Sequence, residues 1–243
     1  MCIRDSMGSK RTIAKDIINI MSQNLKKVDV YIEPFVGGAN MIDKVPHKNK
    51  IGYDINKYVI AVLKAIRDGV NLPKKVTRKE YYKIKESWKN NNKDYPDYIK
   101  GYVGIVCAFG SKFFDSFANP SKCGRDYTKE AYRNAIKQTE KLKGIKFYCK
   151  DYRKIKLPKK KCLIYCDPPY RDMHNKKYRG SEIFNHDVFY SWCLSVKKEG
   201  HIVYVSERNK LPKPFKKVWS KDKRIAIKNN ENHKTHNEKL FKL

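Results

Sequence analysis

The apolar run Cys162-Leu163-Ile164-Tyr165-Cys166 passes without interruption into Asp167-Pro168-Pro169-Tyr170. A buried strand that stops in a rigid turn is where an open α/β sheet places its chemistry. The two prolines restrict φ and make the turn stiff. The residue types suit an amino group attached to an aromatic ring. The lone pair of such a nitrogen is delocalised into the ring, so the nitrogen is a poor nucleophile. An acceptor on each N–H can hold it in a more pyramidal, reactive shape. Asp167 offers a carboxylate acceptor and the Pro168 carbonyl a second one, while Tyr170 can stack on the ring. A plain strand-terminating turn accounts for the same four residues, because Asp-Pro commonly starts turns.

A second element lies upstream. Val28-Asp29-Val30-Tyr31-Ile32 alternates like a strand and runs into Glu33-Pro34-Phe35-Val36-Gly37-Gly38-Ala39-Asn40-Met41. Glycines after a strand let the backbone turn sharply and approach a ligand closely. The pattern is neither a full G-x-G-x-x-G nor a P-loop. A third element, Ile51-Gly52-Tyr53-Asp54-Ile55-Asn56, is a short strand with an acid at its end. In nucleotide-binding α/β units an acid at that distance accepts hydrogen bonds from ribose hydroxyls. Asp54 can equally cap the helix expected from Lys57.

Taken together these elements resemble the S-adenosylmethionine-dependent amino-methyltransferases. The closer resemblance is to the Dam-like (D12 class, alpha group) DNA adenine-N6 methyltransferases. Gly8-Ser9-Lys10 is similar to that family's opening motif, and Glu33-Pro34-Phe35-Val36-Gly37-Gly38 to its cofactor motif. The order also agrees: opening lysine, glycine motif, acidic strand, long insertion, Asp-Pro-Pro-Tyr. The resemblance runs from Met7 onward and implies a solitary, phage-type enzyme. It implies that Asp167, Pro168, Pro169 and Tyr170 are catalytic. Lys10, Glu33, Pro34, Phe35, Gly37, Gly38, Asp54, Asp151 and Asp167 would contact S-adenosylmethionine. The target adenine would have to leave the duplex to be reached. Three other amino-methyltransferase classes fit less well. Ribosomal RNA guanine-N2 enzymes lack the opening lysine motif and the long insertion. Cytosine-N4 enzymes more often begin the tetrapeptide with Ser, and protein-glutamine enzymes with Asn. A catalytically silent DNA-binding relative is the alternative from another class.

Lys and Arg number 55 against 25 Asp and Glu, a formal net charge of +30. Such a charge predicts attraction to a polyanion and salt-dependent binding. Only 11 of the 55 are Arg, and an AT-rich genome would enrich Lys, Asn, Ile and Tyr without any binding role. No apolar run approaches the roughly 18 residues of a membrane span, and no secretory signal is visible. The seven cysteines, odd in number and partly in expected core strands, read as reduced thiols of a cytoplasm-like compartment. No metal site is expected, since Cys162 and Cys166 lack the paired spacing of a zinc knuckle. A monomer is expected.

Residues 1–6 look like a non-native leader ahead of Met7. Relatives often place an aromatic before the opening lysine to stack on the cofactor adenine; Ser6 stands there in this chain. A helix is expected over 11–23, with Ile13, Ile17, Ile18, Ile20 and Met21 as its apolar face. Strands are expected near 28–34 and 51–55, and a helix over 57–67. Residues 72–144 become basic and aromatic, with helical periodicity over 77–89, 97–108 and 128–142. This insertion is the target-recognition lobe in the resemblance, between catalytic-domain segments 7–71 and 145–243. The loop before its last helix holds Lys112, Asn119, Lys122 and Arg125, types that reach phosphates, guanine edges or adenine. Its aromatics can also simply be core and its lysines a solvated face. Strands are expected over 145–149, ending at Asp151, and over 163–166 and 201–206. Residues 171–180 suit a flap over the flipped base, or a plain surface loop. A helix over 184–196 is expected with Asn185 as its cap. Segments 215–219 and 239–243 read as closing antiparallel strands joined by a polar connection at 229–237. The fold expected is an α/β Rossmann-like methyltransferase sheet, mostly parallel, with helices on both faces and an inserted helical lobe.

Overall fold

The strand expected before Asp-Pro-Pro-Tyr is Cys162–Cys166, and all five of its residues are buried. Burial on both faces explains why it reads as a continuous apolar run rather than an alternating one. The computed structural model describes residues 10, 12–109, 113–120, 126–171, 184–224 and 235–243. In chain order these form α1 (Ala14–Leu25), β1 (Val30–Glu33), β2 (Lys50–Asp54), α2 (Lys57–Arg67), α3 (Arg78–Lys89) and α4 (Asp97–Gly101). Then follow α5 (Tyr127–Leu142), β3 (Lys146–Cys149), β4 (Cys162–Cys166), α6 (His186–Lys198), β5 (Ile202–Glu207), β6 (Lys216–Arg224) and β7 (Thr235–Lys242). This is the mixed α/β architecture expected. The chain divides into two compact units, one of residues 1–15 and 36–152, the other of residues 16–35 and 153–243.

In the second unit the strands lie in the order β1-β4-β5-β7-β6. β1 pairs parallel with β4, Ile32 opposite Ile164, and β4 pairs parallel with β5, Cys166 opposite Val205. β7 runs antiparallel to β5, with Val205 opposite Phe241, and β6 antiparallel to β7 with an irregularity between Lys217 and Trp219. The reversed strand and the closing antiparallel pair are therefore present, and both strands are longer than their apolar cores suggested. α6 begins where Asn185 caps it: the side-chain oxygen accepts the N–H groups of Asp187 and Val188. Such a cap contributes about 1 kcal/mol. α1 starts three residues later than expected, and its buried stripe differs too. Ile13, Ala14, Ile17, Met21 and Leu25 are buried, while Ile20 is 39% exposed. A spacing of about four residues keeps the first set on one face, and Ile20 falls outside it.

In the first unit β2 and β3 pair parallel, Asp54 opposite Cys149. α2 spans the residues expected, capped by Asn56, whose side chain accepts from Tyr58 and Val59 N–H. It packs against α4, α5 and β3. Gly101 permits the close approach of α4: a Cβ there would lie 2.5 Å from the Tyr58 carbonyl oxygen. The helix expected over 97–108 changes character midway, because residues Tyr102–Val106 form a π-helical turn. α3 opens with a complete capping box between Thr77 and Glu80. The aromatics of this region are mainly core. Trp88 stacks on Phe114 at 5.2 Å and meets Phe113 at 5.1 Å, and Tyr81 packs on Phe114 and Phe117. Tyr82 and Phe109 are the exposed exceptions, at 40% and 58%. Among the described residues no helix is long and apolar enough to cross a membrane.

Candidate active site

The glycine turn lies in the first unit, at the carboxyl end of β2. Val36 N–H donates to the Tyr53 carbonyl (2.8 Å), which ties the turn to the strand. Gly37 adopts φ +46°, a left-handed conformation that glycine takes without the steric penalty of a Cβ. Gly38 is not left-handed; Ala39 is, at φ +57°, so the strained second position falls on a residue with a Cβ. Gly52 is required by packing, since a Cβ there would come within 2.8 Å of the Val36 side chain.

Asp54 does not cap α2; that position belongs to Asn56. Its carboxylate grips the turn instead. Oδ2 accepts the Gly37 N–H at 3.0 Å and Oδ1 the Asn56 N–H at 2.9 Å. Burial pushes the Asp54 carboxyl above its ordinary value, while the N–H groups of Asn56, Gly37 and Ile55 pull it back. A carboxylate offers about four lone-pair directions, so these bonds leave capacity for hydroxyl donors. Asp151 follows β3, and Lys150 N–H donates to the Asp54 carbonyl at 2.9 Å, so the two acids leave neighbouring strand ends. Lys10, the described residue of the opening motif, is 3% exposed. Gly8 and Ser9, and the leader at 1–6, lie outside the described residues.

Two residues at this turn carry no motif. Gln138 on α5 is fully buried, and its Nε2 donates to the Gly38 carbonyl at 3.2 Å. Its Oε1 and the Oδ1 of Asn40 are buried acceptors without a hydrogen-bond partner. Gln138 shares a buried helix stripe with Ala131, Ala135 and Leu142. An amide within an otherwise apolar stripe is the signal that could have singled it out.

The second unit holds the Asp-Pro-Pro-Tyr turn. Parallel pairing of β1 and β4 brings Glu33-Pro34-Phe35 and Asp167-Pro168-Pro169-Tyr170 out of the same end of adjacent strands. Glu33 is buried and accepts the Tyr31 O–H at 2.7 Å. Phe35 packs edge-on against Phe184 and Phe189. His186, the first residue of α6, approaches the Pro169 carbonyl with Nε2 at 2.9 Å. A carbonyl only accepts, so this nitrogen is the protonated one. Tyr170 is 7% exposed and donates its O–H to Glu238 Oε2 at 2.7 Å. Burial, followed by the charges of Asp167 and Glu238, holds the Tyr170 hydroxyl well above its ordinary value, so it stays a donor. Arg208 completes the cluster, with Nε 3.2 Å from Glu238 Oε1 and its guanidinium 4.9 Å from the Tyr170 ring centre. The motifs disclosed neither Glu238 nor Arg208.

Of the insertion's expected DNA contacts, Asn119 is exposed. Lys112, Lys122 and Arg125 lie outside the described residues, as do residues 172–180 of the expected flap and 229–234 of the closing connection. The described cysteines, Cys107, Cys149, Cys162, Cys166 and Cys193, are free thiols.

No curated protein matches the chain. The family model for D12 class N6 adenine-specific DNA methyltransferases matches residues 6–238. That match lends no support to the RNA guanine-N2 alternative. The chain belongs to the D12 class of N6 adenine-specific DNA methyltransferases.

Proposed function

We propose that the enzyme uses S-adenosylmethionine and that the two turns divide the work. The glycine turn would hold the cofactor: Asp54 receives ribose hydroxyls, Asp151 the adenine amino group, and Gly37 and Gly38 allow close backbone approach. Lys10 would lie near the cofactor carboxylate or the catalytic turn, and Glu33, Pro34 and Phe35 shape the path into the glycines. The residues fit this group. A carboxylate with spare lone pairs and two buried acceptors lacking partners, Asn40 Oδ1 and Gln138 Oε1, surround a turn where a donor-rich ligand would satisfy them. The cofactor supplies an electrophilic methyl group on a sulfonium.

The chain's own residues would activate the nucleophile. Asp167 and the Pro168 carbonyl accept the two N–H groups of a flipped adenine, and Tyr170 stacks on its ring. His186 anchors the turn at the Pro169 carbonyl, which supports the Pro168 carbonyl as the second acceptor. As the new N–C bond forms and the methyl–sulfur bond breaks to leave a neutral thioether, Asp167 would stabilise the positive charge on N6 and take up the proton the nitrogen releases. No metal is required. The observation that carries this assignment is the wholly buried β4 ending in a turn fixed at both its Pro169 carbonyl and its Tyr170 hydroxyl.

Residues 72–144 would be the target-recognition lobe, with Lys112, Asn119, Lys122 and Arg125 on duplex DNA and the net charge of +30 supplying salt-dependent affinity. The enzyme would act as a monomer in the cytoplasm, in the manner of a solitary phage-type methyltransferase. The test is incubation with labelled S-adenosylmethionine and unmethylated duplex DNA, followed by mapping of modified bases. N6-methyladenine in one short motif is the expected result. Label in RNA and none in DNA would reject the substrate assignment.

A further inference from the structure

We propose that Glu238 and Arg208 are positioning residues for methyl transfer, acting through Tyr170. This deepens the function proposed above and rests on Tyr170 being the surface that receives the target base.

The need for such residues follows from the turn itself. Pro168 and Pro169 have no N–H to donate, so the middle of this turn cannot be anchored through backbone donors. It must be held by its carbonyls and by the side chain that follows. His186 supplies the first hold, at the Pro169 carbonyl. The second is on Tyr170, at two points of one ring. Glu238 Oε2 takes the hydroxyl hydrogen at 2.7 Å, and the Arg208 guanidinium lies 4.9 Å from the ring centre. The two are joined to each other, because Arg208 Nε donates to the other oxygen of the same carboxylate at 3.2 Å. Tip and face of the ring are thus fixed by one ion pair.

The pair is placed by the sheet. β7 runs antiparallel to β5, with Lys239 opposite Glu207 and Leu240 opposite Ser206, so Glu238 stands at the end of β5 where Arg208 leaves it. Glu207 accepts the Arg208 N–H at 2.7 Å, and Lys239 Nζ donates to the Arg208 carbonyl. The Arg208 backbone is therefore held on both sides. The Glu238 side chain is 2% exposed and that of Arg208 15%. Burying a carboxylate is costly unless it is paired and hydrogen-bonded. Here it pairs with Arg208 and accepts from Tyr170, and that tyrosine ends the catalytic tetrapeptide.

The experiment uses the full chain, labelled S-adenosylmethionine and unmethylated plasmid DNA. It measures kcat, the KM for cofactor and the thermal transition for wild type, Y170F, E238Q, E238A, R208M and the double variant Y170F/E238A. Loss of a positioned, charge-assisted hydrogen bond should lower kcat about tenfold in E238A and R208M, with the cofactor KM within about twofold of wild type. E238Q keeps an acceptor for the hydroxyl and should recover part of the loss. The double variant should be no slower than E238A, because both changes remove the same hydrogen bond. Should E238A fail to fold, Y170F, which removes one oxygen, reports the same coupling. The proposal is overturned if Y170F and E238Q both keep wild-type kcat while only the thermal transition falls. Additive losses in the double variant overturn it as well. If wild type transfers label to RNA alone, the substrate reading fails, and the same cycle measured on that RNA still decides the role of Glu238.

Discussion

The two turns solve one problem, holding a loop rigid at a strand end, in opposite ways. The glycine turn keeps its N–H groups, so a carboxylate can grip the backbone directly: Asp54 holds Gly37 and Asn56, and Val36 N–H reaches the Tyr53 carbonyl. The Asp-Pro-Pro-Tyr turn has given up two donors for two fixed φ angles. It is held through a carbonyl by His186 and through a side chain by Glu238. Glycine buries little and leaves room for a ligand; proline removes motion and keeps a carbonyl acceptor. The first suits a bound cofactor, the second an amino group that needs acceptors.

If the turns divide the work in this way, damage to each should have its own kinetic signature. The largest expected effect is Asp167→Ala. Methyl transfer should fall about a thousandfold, as for loss of a group that stabilises developing charge, while DNA binding measured by gel shift stays near wild type. Retained transfer would remove Asp167 from the mechanism.

Asp54→Ala should show the converse, a cofactor KM about ten- to hundredfold higher from lost charge-assisted hydrogen bonds, with a far smaller change in kcat. The same residue predicts a pH dependence. Burial raises the Asp54 carboxyl above 3.8, so its ionised, accepting form is lost at a higher pH than for an ordinary aspartate. Cofactor affinity should decline as pH falls through that raised value, and Asp54→Asn should flatten this limb. The sign for folding is opposite. A raised carboxyl favours the protonated folded state, so its contribution to stability is full below pH 3.8 and is lost as pH rises through the folded value.

Gln138→Leu sharpens the comparison within the glycine turn. It removes the donor to the Gly38 carbonyl and the unpartnered Oε1 together. The cofactor KM should rise about fivefold, the equivalent of roughly 1 kcal/mol, and kcat should hold; a fall in kcat at unchanged KM would place Gln138 outside the cofactor turn. The smallest effect belongs to Thr77→Ala, which breaks the capping box of α3. It should cost about 1 kcal/mol in a denaturant melt and leave kcat and cofactor KM alone. A kinetic change there would mean the insertion is coupled to chemistry.

Local pattern disclosed much of this molecule. The buried run before Asp167, the helix over Lys57–Arg67, the Asn185 cap and the antiparallel close are each written in a few adjacent residues, because strand burial, helical period and cap chemistry are short-range rules. The same rules named Asp54, but could not say whether it capped a helix or gripped a turn. That depended on Gly37, 17 residues away, arriving within 3.0 Å. The face of α1 was misjudged at Ile20 because four isoleucines in eight positions offer more than one apolar stripe, and packing selects among them.

What the sequence determined by itself is the chemistry available: a rigid acid-and-carbonyl turn, a glycine turn, an acid at a strand end and a large positive charge. Only the tertiary structure decided what holds them. Gln138 lies 100 residues from the glycine it supports, and Glu238 lies 68 residues from the tyrosine whose hydroxyl it accepts. A polar side chain carries no periodic signal of its distant partner. It becomes legible only when the sheet and helices bury it, because burial makes a hydrogen-bond partner necessary.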